Sequence, residues 1–343
     1  MILYSLFNAK LLYILCAFSF IACTPSLTVS QASHTLALNS KGESFELQIN
    51  EEENYSFERH QKLLLDSLSL YLNNTDSTPK EVVVYIHGGM LGIRSSVDRS
   101  KVFSEAIKKD GKFPVIVNWE SSFESSYFVD RLFNVRDGQY WEYNYKTFLH
   151  PLLAAVYLPG DILQGVVRSP FQWNEQFLHT KESFYDSTDI DLSTQNIKEL
   201  NLIYPGARPN SFGRTTGSLF SQYVIPGAIK PVSMIFLDGI GREAWNNMLF
   251  KTQALIYGKG INPNERGPLV QVIKLINQTL EKHPNANLSL IGHSMGSIVI
   301  ANLIREVPEL KADNIVHMAA ADNIRSLNDV VIPYLQKHPK TQF

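Results

Sequence analysis

The chain has 343 residues, of which 44% are hydrophobic and 19% are charged, and its formal net charge is -2. This balance is that of a globular protein and excludes a wholly disordered chain. Nucleic-acid-binding proteins carry a basic field that is missing here, so we expect no nucleic-acid partner. The length accommodates either one α/β domain with an insertion or two domains.

Residues 1–22 have the pattern of a secretory signal peptide. Lys10 precedes an apolar run over residues 11–22, which has the length of a signal-peptide core and is short for a membrane span. The run ends in Ser19-Phe20-Ile21-Ala22-Cys23, which resembles the lipobox of bacterial lipoproteins. The resemblance implies that Cys23 is acylated and becomes the mature N-terminus, which anchors the protein to a membrane of the bacterial cell envelope.

Two alternatives to lipidation remain open, namely an ordinary cleaved signal peptide and an uncleaved anchor. By analogy with enteric lipoproteins, Thr24 after the cysteine is typical of sorting to the outer membrane. Cys16 and Cys23 are the two cysteines of the chain, so cleavage before Cys23 would leave no internal disulfide.

Residues 23–42 are polar and rich in small side chains, and we expect a tether there. Residues 43–120 carry apolar patterns of alternating and helical spacing, which predict the first part of an α/β core. The predicted elements are a strand over Glu43–Asn50, a helix over Ser56–Leu72, a strand over Val82–Ile86, a helix over Ser95–Lys109 and a strand over Phe113–Trp119. A strand, a helix and a second strand in close succession form a parallel unit with a right-handed crossover.

Residues 121–260 differ in character from their surroundings. Aromatic side chains are frequent between Phe123 and Tyr185, and residues 148–167 are nearly uncharged. We expect a largely helical inserted cap, whose apolar character favours an acyl-chain or other apolar substrate. The alternative is that these side chains fill the core of the cap itself. Near the end of the insertion, Pro231–Leu237 has the composition of a strand.

Residues 261–343 predict the second part of the core. Its elements are a helix over Leu269–Lys282, a strand over Asn287–Ile291, a helix over Ser297–Ile304, a strand over Asn314–Ala320 and a helix or loop over Leu327–His338. Thr341–Phe343 has the composition of the beginning of another strand. The fold class predicted for the whole chain is α/β, with a mostly parallel central sheet flanked by helices.

The segment Gly292-His293-Ser294-Met295-Gly296 has the spacing G-x-S-x-G between a predicted strand and a predicted helix. A sharp strand-to-helix turn exposes its serine above the sheet edge, and the helix N-terminus directs free N–H groups to that point. The pattern predicts Ser294 as a nucleophile. The alternative is a glycine-bounded turn around a buried structural serine.

A second glycine-rich turn, His87-Gly88-Gly89-Met90, follows the predicted strand Val82–Ile86. Together the two turns resemble the α/β-hydrolase superfamily, lipases and esterases in particular. The resemblance implies a serine hydrolase of carboxylic esters that needs no cofactor. Its oxyanion would be held by the N–H of Met295 and by that of Gly89 or Met90, while His87 would order the loop without acting as the base.

The chain departs from the superfamily order of nucleophile, acid and histidine. Asp322 lies where some lipases place their acid, although it could instead be a loop residue that caps the next helix. No histidine after Ser294 fits the base well, because His317 lies inside a strand and His338 is the one late candidate. We expect the histidine-bearing portion to be absent from this chain, which reading the DNA beyond codon 343 would test.

Two other functions remain open beside ester hydrolysis. A catalytically inactive lipoprotein could keep the hydrolase scaffold as a binding module, and an acyl transferase would share the same turns. Metal and nucleotide sites are poorly supported, because the chain has neither an H-E-x-x-H nor a paired C-x-x-C spacing and Leu237–Gly241 lacks most of a phosphate-binding fingerprint.

Overall fold

The computed structural model describes residues 26–45, 48–49, 56–74, 79–133, 156–168, 236–258 and 266–343. They form two compact units, one comprising the described residues up to Ser125 and from Met248 onward, the other those between Ser126 and Asn247. Cys23 lies outside the described residues. Within the described ranges no helix combines the length and the apolar character that a membrane span requires.

The first unit is built on a five-stranded parallel sheet. Its strands are β2 (Thr35–Leu38), β4 (Lys80–Ile86), β5 (Phe113–Trp119), β6 (Ala286–His293) and β7 (Asn314–Met318). Their order in the sheet is β2-β5-β4-β6-β7. A two-stranded parallel pair, β1 (Ser26–Leu27) and β3 (Gln48–Ile49), lies outside this sheet. The α/β class and the predicted strands β4 to β7 are therefore confirmed.

Helices cover both faces of the sheet. In chain order they are α1 (Val29–Ala32), α2 (Phe57–Asn73), α3 (Ile93–Lys109), α4 (Arg242–Tyr257), α5 (Pro268–Leu280) and α6 (Met295–Glu306), followed by consecutive helical segments Ile324–Ser326, Leu327–Val331 and Ile332–Lys337. The predicted helices thus form close to their expected bounds. Ser56 accepts a hydrogen bond from Arg59 N and so caps α2.

Successive side chains of each strand point to opposite faces of the sheet, so the hydrophobic core has one part on each face. One face carries the larger cluster, in which Val84 and Leu290 are fully buried with residues of α2, α5 and α6. The other face carries a smaller cluster, where Ala37 packs with Ile93 and Val97 of α3. Burial on both faces explains why β4 and β5 are so rich in valine and isoleucine.

The expected tether over 23–42 is wrong for the part that the structure describes. Thr35–Leu38 forms the edge strand β2, pairs with β5 and is buried throughout. A strand of four residues between polar neighbours is too short for periodicity to reveal it. Of the strand predicted over Glu43–Asn50, the described residues form an antiparallel bridge at Ser44 and β3, and residues 46, 47 and 50 lie outside the described ranges.

The end of the chain returns to the sheet. Gln342 forms a parallel bridge with Asn314 of β7. The Gln342 N–H donates to Asp313 O, and the Gln342 carbonyl accepts from Ile315 N–H. The strand-like composition of Thr341–Phe343 therefore corresponds to pairing beside β7.

The described part of the second unit is helical. It contains Phe236–Gly241 and most of Ser125–Phe133, both in π-type turns, the beginning of α4, and a helix over residues 156–168. The strand predicted over Pro231–Leu237 is wrong at its described end, because Phe236 and Leu237 are helical, and its other residues lie outside the described ranges. Arg131 forms a buried bidentate pair with Asp161, which also accepts from Tyr127 Oη, and this pairing offsets the cost of burying both charges.

Candidate active site

Ser294 lies in the turn between β6 and α6, with φ 50° and ψ -116°. A non-glycine residue with positive φ costs roughly 1–3 kcal/mol and persists only where its surroundings hold it. The side chain is partly exposed, and its hydroxyl has no hydrogen-bond partner among the described residues. The sharp bend predicted from the sequence is present, and the alternative of a buried structural serine does not fit this exposure.

The two glycines of the segment allow the bend to close. A Cβ on Gly292 would lie 2.7 Å from backbone atoms of Gly296, and a Cβ on Gly296 would overlap the carbonyl of Ile86. Strand β6, the start of α6 and the end of β4 are therefore in contact through their backbones at this point.

The second glycine-rich turn lies directly against Ser294. Because β4 pairs with β6, Ile86 is opposite Gly292, and the turns that follow the two strands leave the sheet at the same edge. A Cβ built on Gly88 would stand 2.8 Å from the Cβ of Ser294. The two glycine-rich turns are thus brought together.

Backbone strain is concentrated at this edge of the sheet. Among the described residues, the non-glycine residues with positive φ are Met90 (66°), Ser294 (50°) and Ala319 (45°). They follow β4, β6 and β7, which are neighbours in the sheet. Strained residues are typical of functional sites, and their convergence on one edge marks this edge as the candidate site.

The loop after β7 holds the backbone of Ser294. The Ser294 N–H donates to Met318 O at 2.8 Å, and its carbonyl accepts from Ala321 N at 3.2 Å and from Ser297 Oγ at 2.6 Å. These bonds fix the peptide groups on both sides of Ser294, so the strained conformation is held both by the end of β7 with its following loop and by the first turn of α6.

His87 is buried and connects β4 to β5. Its Nε2 accepts from the backbone N–H of Trp119 at 3.0 Å, so Nδ1 carries the ring hydrogen and donates to Gly88 O at 2.6 Å. The indole N–H of Trp119 donates to His87 O, and the two rings stack. Burial, above all, lowers the pKa of His87 to about 4, so the ring is neutral at pH 7. With both nitrogens bonded to backbone, His87 orders the loop, as the resemblance implied.

The candidate oxyanion donors differ in their availability. The Met90 N–H donates to Ser121 O at 2.8 Å, whereas the N–H of Gly89 has no acceptor among the described residues. Met295 occupies the first position of α6, where helix geometry leaves the N–H without an intrahelical acceptor. In this arrangement the free donors next to Ser294 are those of Gly89 and Met295, and Met90 is the one expected donor that is occupied.

Asp322 belongs to the loop that holds Ser294. Its Oδ1 accepts from Asn323 N at 2.9 Å, and its Oδ2 is buried without a partner among the described residues. The helix that follows is capped by Asn323, whose side chain accepts from Ser326 N, so helix capping does not account for Asp322. Burial lowers the pKa of His317, and the charge of Asp322 partly opposes that shift.

No described histidine hydrogen-bonds to the hydroxyl of Ser294. His293 lies with its Nδ1 against Gly88, and His317 packs its ring on Phe343. His338 stacks on Tyr334, whose hydroxyl bonds to Ala312 before β7 begins. That is the opposite end of β7 from Met318, so His338 is not placed to act on Ser294. His150 and His179 lie outside the described residues.

Sequence reasoning missed Trp119 and Ser121, which contact the turn after β4 from the end of β5. A serine after a strand carries no motif, and only the pairing of β5 with β4 gives it a role. Among the described residues there is no group of three or more His, Cys, Asp or Glu side chains that could hold a metal ion.

Comparison with known proteins gives no match. No family model fits the chain, and none of the curated proteins or solved structures compared with it is similar.

Proposed function

We propose that this protein is a serine hydrolase of the lipase or esterase type, with an α/β-hydrolase-like arrangement of its site. The observation that carries the proposal is the contact between Gly88 and Ser294, where a Cβ on the glycine would stand 2.8 Å from that of the serine. It puts a glycine-rich loop, whose Gly89 N–H has no acceptor among the described residues, beside a partly exposed serine at a helix N-terminus, which is the arrangement that acyl transfer to serine needs.

In the proposed reaction, Ser294 Oγ attacks the ester carbonyl carbon and gives its proton to a base. The carbonyl oxygen becomes an oxyanion, which accepts from the N–H groups of Gly89 and Met295. When this tetrahedral intermediate collapses, the bond to the alcohol oxygen breaks, and the alcohol leaves with the proton from the base. Water then hydrolyses the acyl-serine and releases the acid. Each such donor typically contributes about 3 kcal/mol to lowering the barrier.

Asp322 is proposed as the acid that orients the base, since its Oδ2 is buried without a partner among the described residues. A buried carboxylate oxygen is the usual acceptor for the N–H of a catalytic imidazole. The described residues do not supply that imidazole to Ser294, so the base itself is left unassigned.

An apolar substrate is supported by the surroundings of the serine. The side chain of Met90 is 66% exposed on the loop beside Ser294, although its backbone is strained. A flexible, exposed thioether side chain of this kind suits contacts with acyl groups of varied shape.

A fluorophosphonate probe tests the proposal directly, because it reacts with activated serines. Wild-type protein should become labelled and should hydrolyse p-nitrophenyl esters, and Ser294→Ala should do neither. Ser297→Ala is a poor control because Ser297 bonds to Ser294 O, whereas Ser100→Ala changes a buried serine whose hydroxyl donates to Val97 O within α3. Absence of labelling in folded wild-type protein would contradict an activated Ser294 in this chain and would favour the binding module.

The second candidate function is a non-catalytic binding module on the same scaffold. It is favoured by one observation, that no described histidine bonds to Ser294 Oγ. This candidate expects no labelling by the probe, together with saturable binding of an apolar ester or fatty acid that Ser294→Ala leaves intact. Acyl transfer is distinguished from hydrolysis by adding an alcohol acceptor and following the transesterified product.

We further propose that the protein is a lipoprotein of the bacterial cell envelope, acylated at Cys23. The described residues begin with β1 at Ser26, three positions after Cys23, and a chain of that length can span at most about 10 Å. The sheet-bearing unit would then be held close to the lipid surface rather than on a long tether. Mass spectrometry of the mature N-terminus should find acylated Cys23, and a free Thr24 or Pro25 would contradict the proposal.

A further inference from the structure

Ser121 is fully buried at the point where the chain leaves β5, and it bonds to the glycine-rich turn at several places. Its backbone accepts from Met90 N at 2.8 Å and donates to Leu91 O at 3.0 Å. Its hydroxyl contacts Gly88 O at 3.2 Å and Leu91 O at 3.0 Å, and it lies 3.3 Å from Leu91 N. Ser121 therefore reaches across the whole turn from Gly88 to Leu91.

The contact with Gly88 O has a consequence for the neighbouring N–H. Gly88 O and Gly89 N–H belong to one planar peptide group, and in a trans peptide they point in opposite directions. His87 Nδ1 donates to that carbonyl at 2.6 Å, and the single hydroxyl hydrogen of Ser121 is shared between the same carbonyl at 3.2 Å and Leu91 O at 3.0 Å. Holding the carbonyl on the side of β5 therefore turns the Gly89 N–H away from β5.

A peptide between two glycines is otherwise easy to rotate, because neither residue restricts its backbone by a Cβ. A rotated Gly88–Gly89 peptide would present a carbonyl oxygen where the proposed oxyanion needs a donor. The orientation of this one peptide therefore decides whether the turn stabilises or repels a developing negative charge.

We infer that Ser121 is a positioning residue, which orients the Gly88–Gly89 peptide so that the Gly89 N–H serves as an oxyanion donor. This inference rests on the proposed hydrolase function. Ser121 does not contact the reacting atoms, and it acts through the carbonyl that it holds in place.

The test compares Ser121→Ala with the control Ser100→Ala, which removes an equally buried hydroxyl that bonds to Val97 O within α3. Ser121→Ala keeps the backbone bonds to Met90 and Leu91 and loses only the side-chain contacts. We expect about a tenfold or greater fall in kcat and in the rate of fluorophosphonate labelling, with KM nearly unchanged, because the donor acts on the transition state. Ser100→Ala should leave these values close to those of the wild type.

Amide hydrogen exchange gives a readout that does not depend on catalysis. The amides of Met90 and Leu91, which bond to Ser121, should exchange about fivefold faster in Ser121→Ala, the factor expected for the loss of a single hydrogen bond, and those of β5 should not change. Unchanged exchange in the turn, or unchanged kcat in an active protein, overturns the positioning role. Failure of the wild type itself to become labelled contradicts an activated Ser294 instead, so the two failures are distinguishable.

Discussion

Gly88 lies against Ser294 so closely that a Cβ on the glycine would stand 2.8 Å from the Cβ of the serine. The same added atom would lie 3.0 Å from both Nδ1 and the carbonyl oxygen of His293. Real Cβ atoms are not found this close to other heavy atoms, so either the turn after β4 or the turn after β6 would have to move.

We therefore predict that Gly88→Ala lowers the fluorophosphonate labelling rate of Ser294 by about a hundredfold, the usual effect of displacing a catalytic group by about 1 Å. It should also lower the free energy of unfolding by about 1–3 kcal/mol through overpacking. Gly160→Ala is the control, because a Cβ there meets nothing within 4 Å. If Gly88→Ala labels as fast as Gly160→Ala, the proposed proximity of the two turns is wrong.

The backbone strain at Ser294 predicts that glycine at this position raises the stability of the protein while it removes its reactivity. Glycine adopts a positive φ without steric cost, so Ser294→Gly should raise the free energy of unfolding by about 1 kcal/mol while abolishing labelling. Ser294→Ala also abolishes labelling but keeps the Cβ, and it should gain no comparable stability. Urea unfolding of the three proteins measures this difference, and equal stabilities of the glycine and alanine variants would contradict strain at this position.

The sequence predicted the strands that are buried on both faces, because such strands need continuous runs of β-branched residues. Val82–Ile86 is a run of this kind, and it forms the larger part of β4. The edge strand β2 has only Thr35–Leu38 between polar neighbours, so composition favoured a tether. Both turns of the candidate site could be found as motifs, since each needs glycine at the end of a strand.

The arrangement of the site depends on strand order, which the sequence does not contain. Gly88 and Ser294 are far apart in the chain and come together because β4 pairs with β6. The role of Ser121 arises in the same way from the pairing of β5 with β4. Asn323 rather than Asp322 caps the next helix, a choice that depends on backbone geometry at adjacent positions and not on residue type.

Burial of His87 predicts a loss of stability in acid. Its pKa is about 4 in the folded chain, against an ordinary value of 6.5, because burial disfavours the charged ring. Between pH 6.5 and 4 the unfolded chain binds the proton and the folded chain does not, so the free energy of unfolding falls as the pH falls. The full shift corresponds to about 3 kcal/mol.

Other histidines add to the same trend, since burial also lowers the pKa of His34 to about 4 and that of His60 below its usual value. The contribution of His87 is therefore the difference between wild type and His87→Gln, measured by urea unfolding at several pH values from 7 to 4. We expect the stability of the variant to decline less steeply across this range, although it starts lower at pH 7. Parallel declines in the two proteins would mean that His87 does not resist protonation.

The position of Asp322 predicts that its replacement lowers the reactivity of Ser294 without lowering the stability of the protein. Its Oδ2 is buried without a hydrogen-bond partner among the described residues, which is unfavourable for an ionised carboxylate. Asp322→Asn removes that charge, so the free energy of unfolding should stay the same or rise by about 1 kcal/mol. If the carboxylate orients the base, the labelling rate of Ser294 should nevertheless fall by a factor of about 10 or more. Asp329→Asn, at an exposed position, is the matched control.

The same variant changes the titration of a neighbouring ring. Burial lowers the pKa of His317, and the negative charge of Asp322 opposes that effect by favouring the protonated form. Asp322→Asn removes the opposition, so the pKa of His317 should fall further, whereas Asp329→Asn should leave it unchanged. An NMR titration of the ring protons measures both values. If the pKa of His317 does not respond to Asp322→Asn, the two side chains do not interact electrostatically. If the labelling rate of Ser294 does not change, Asp322 has no part in the proposed catalysis.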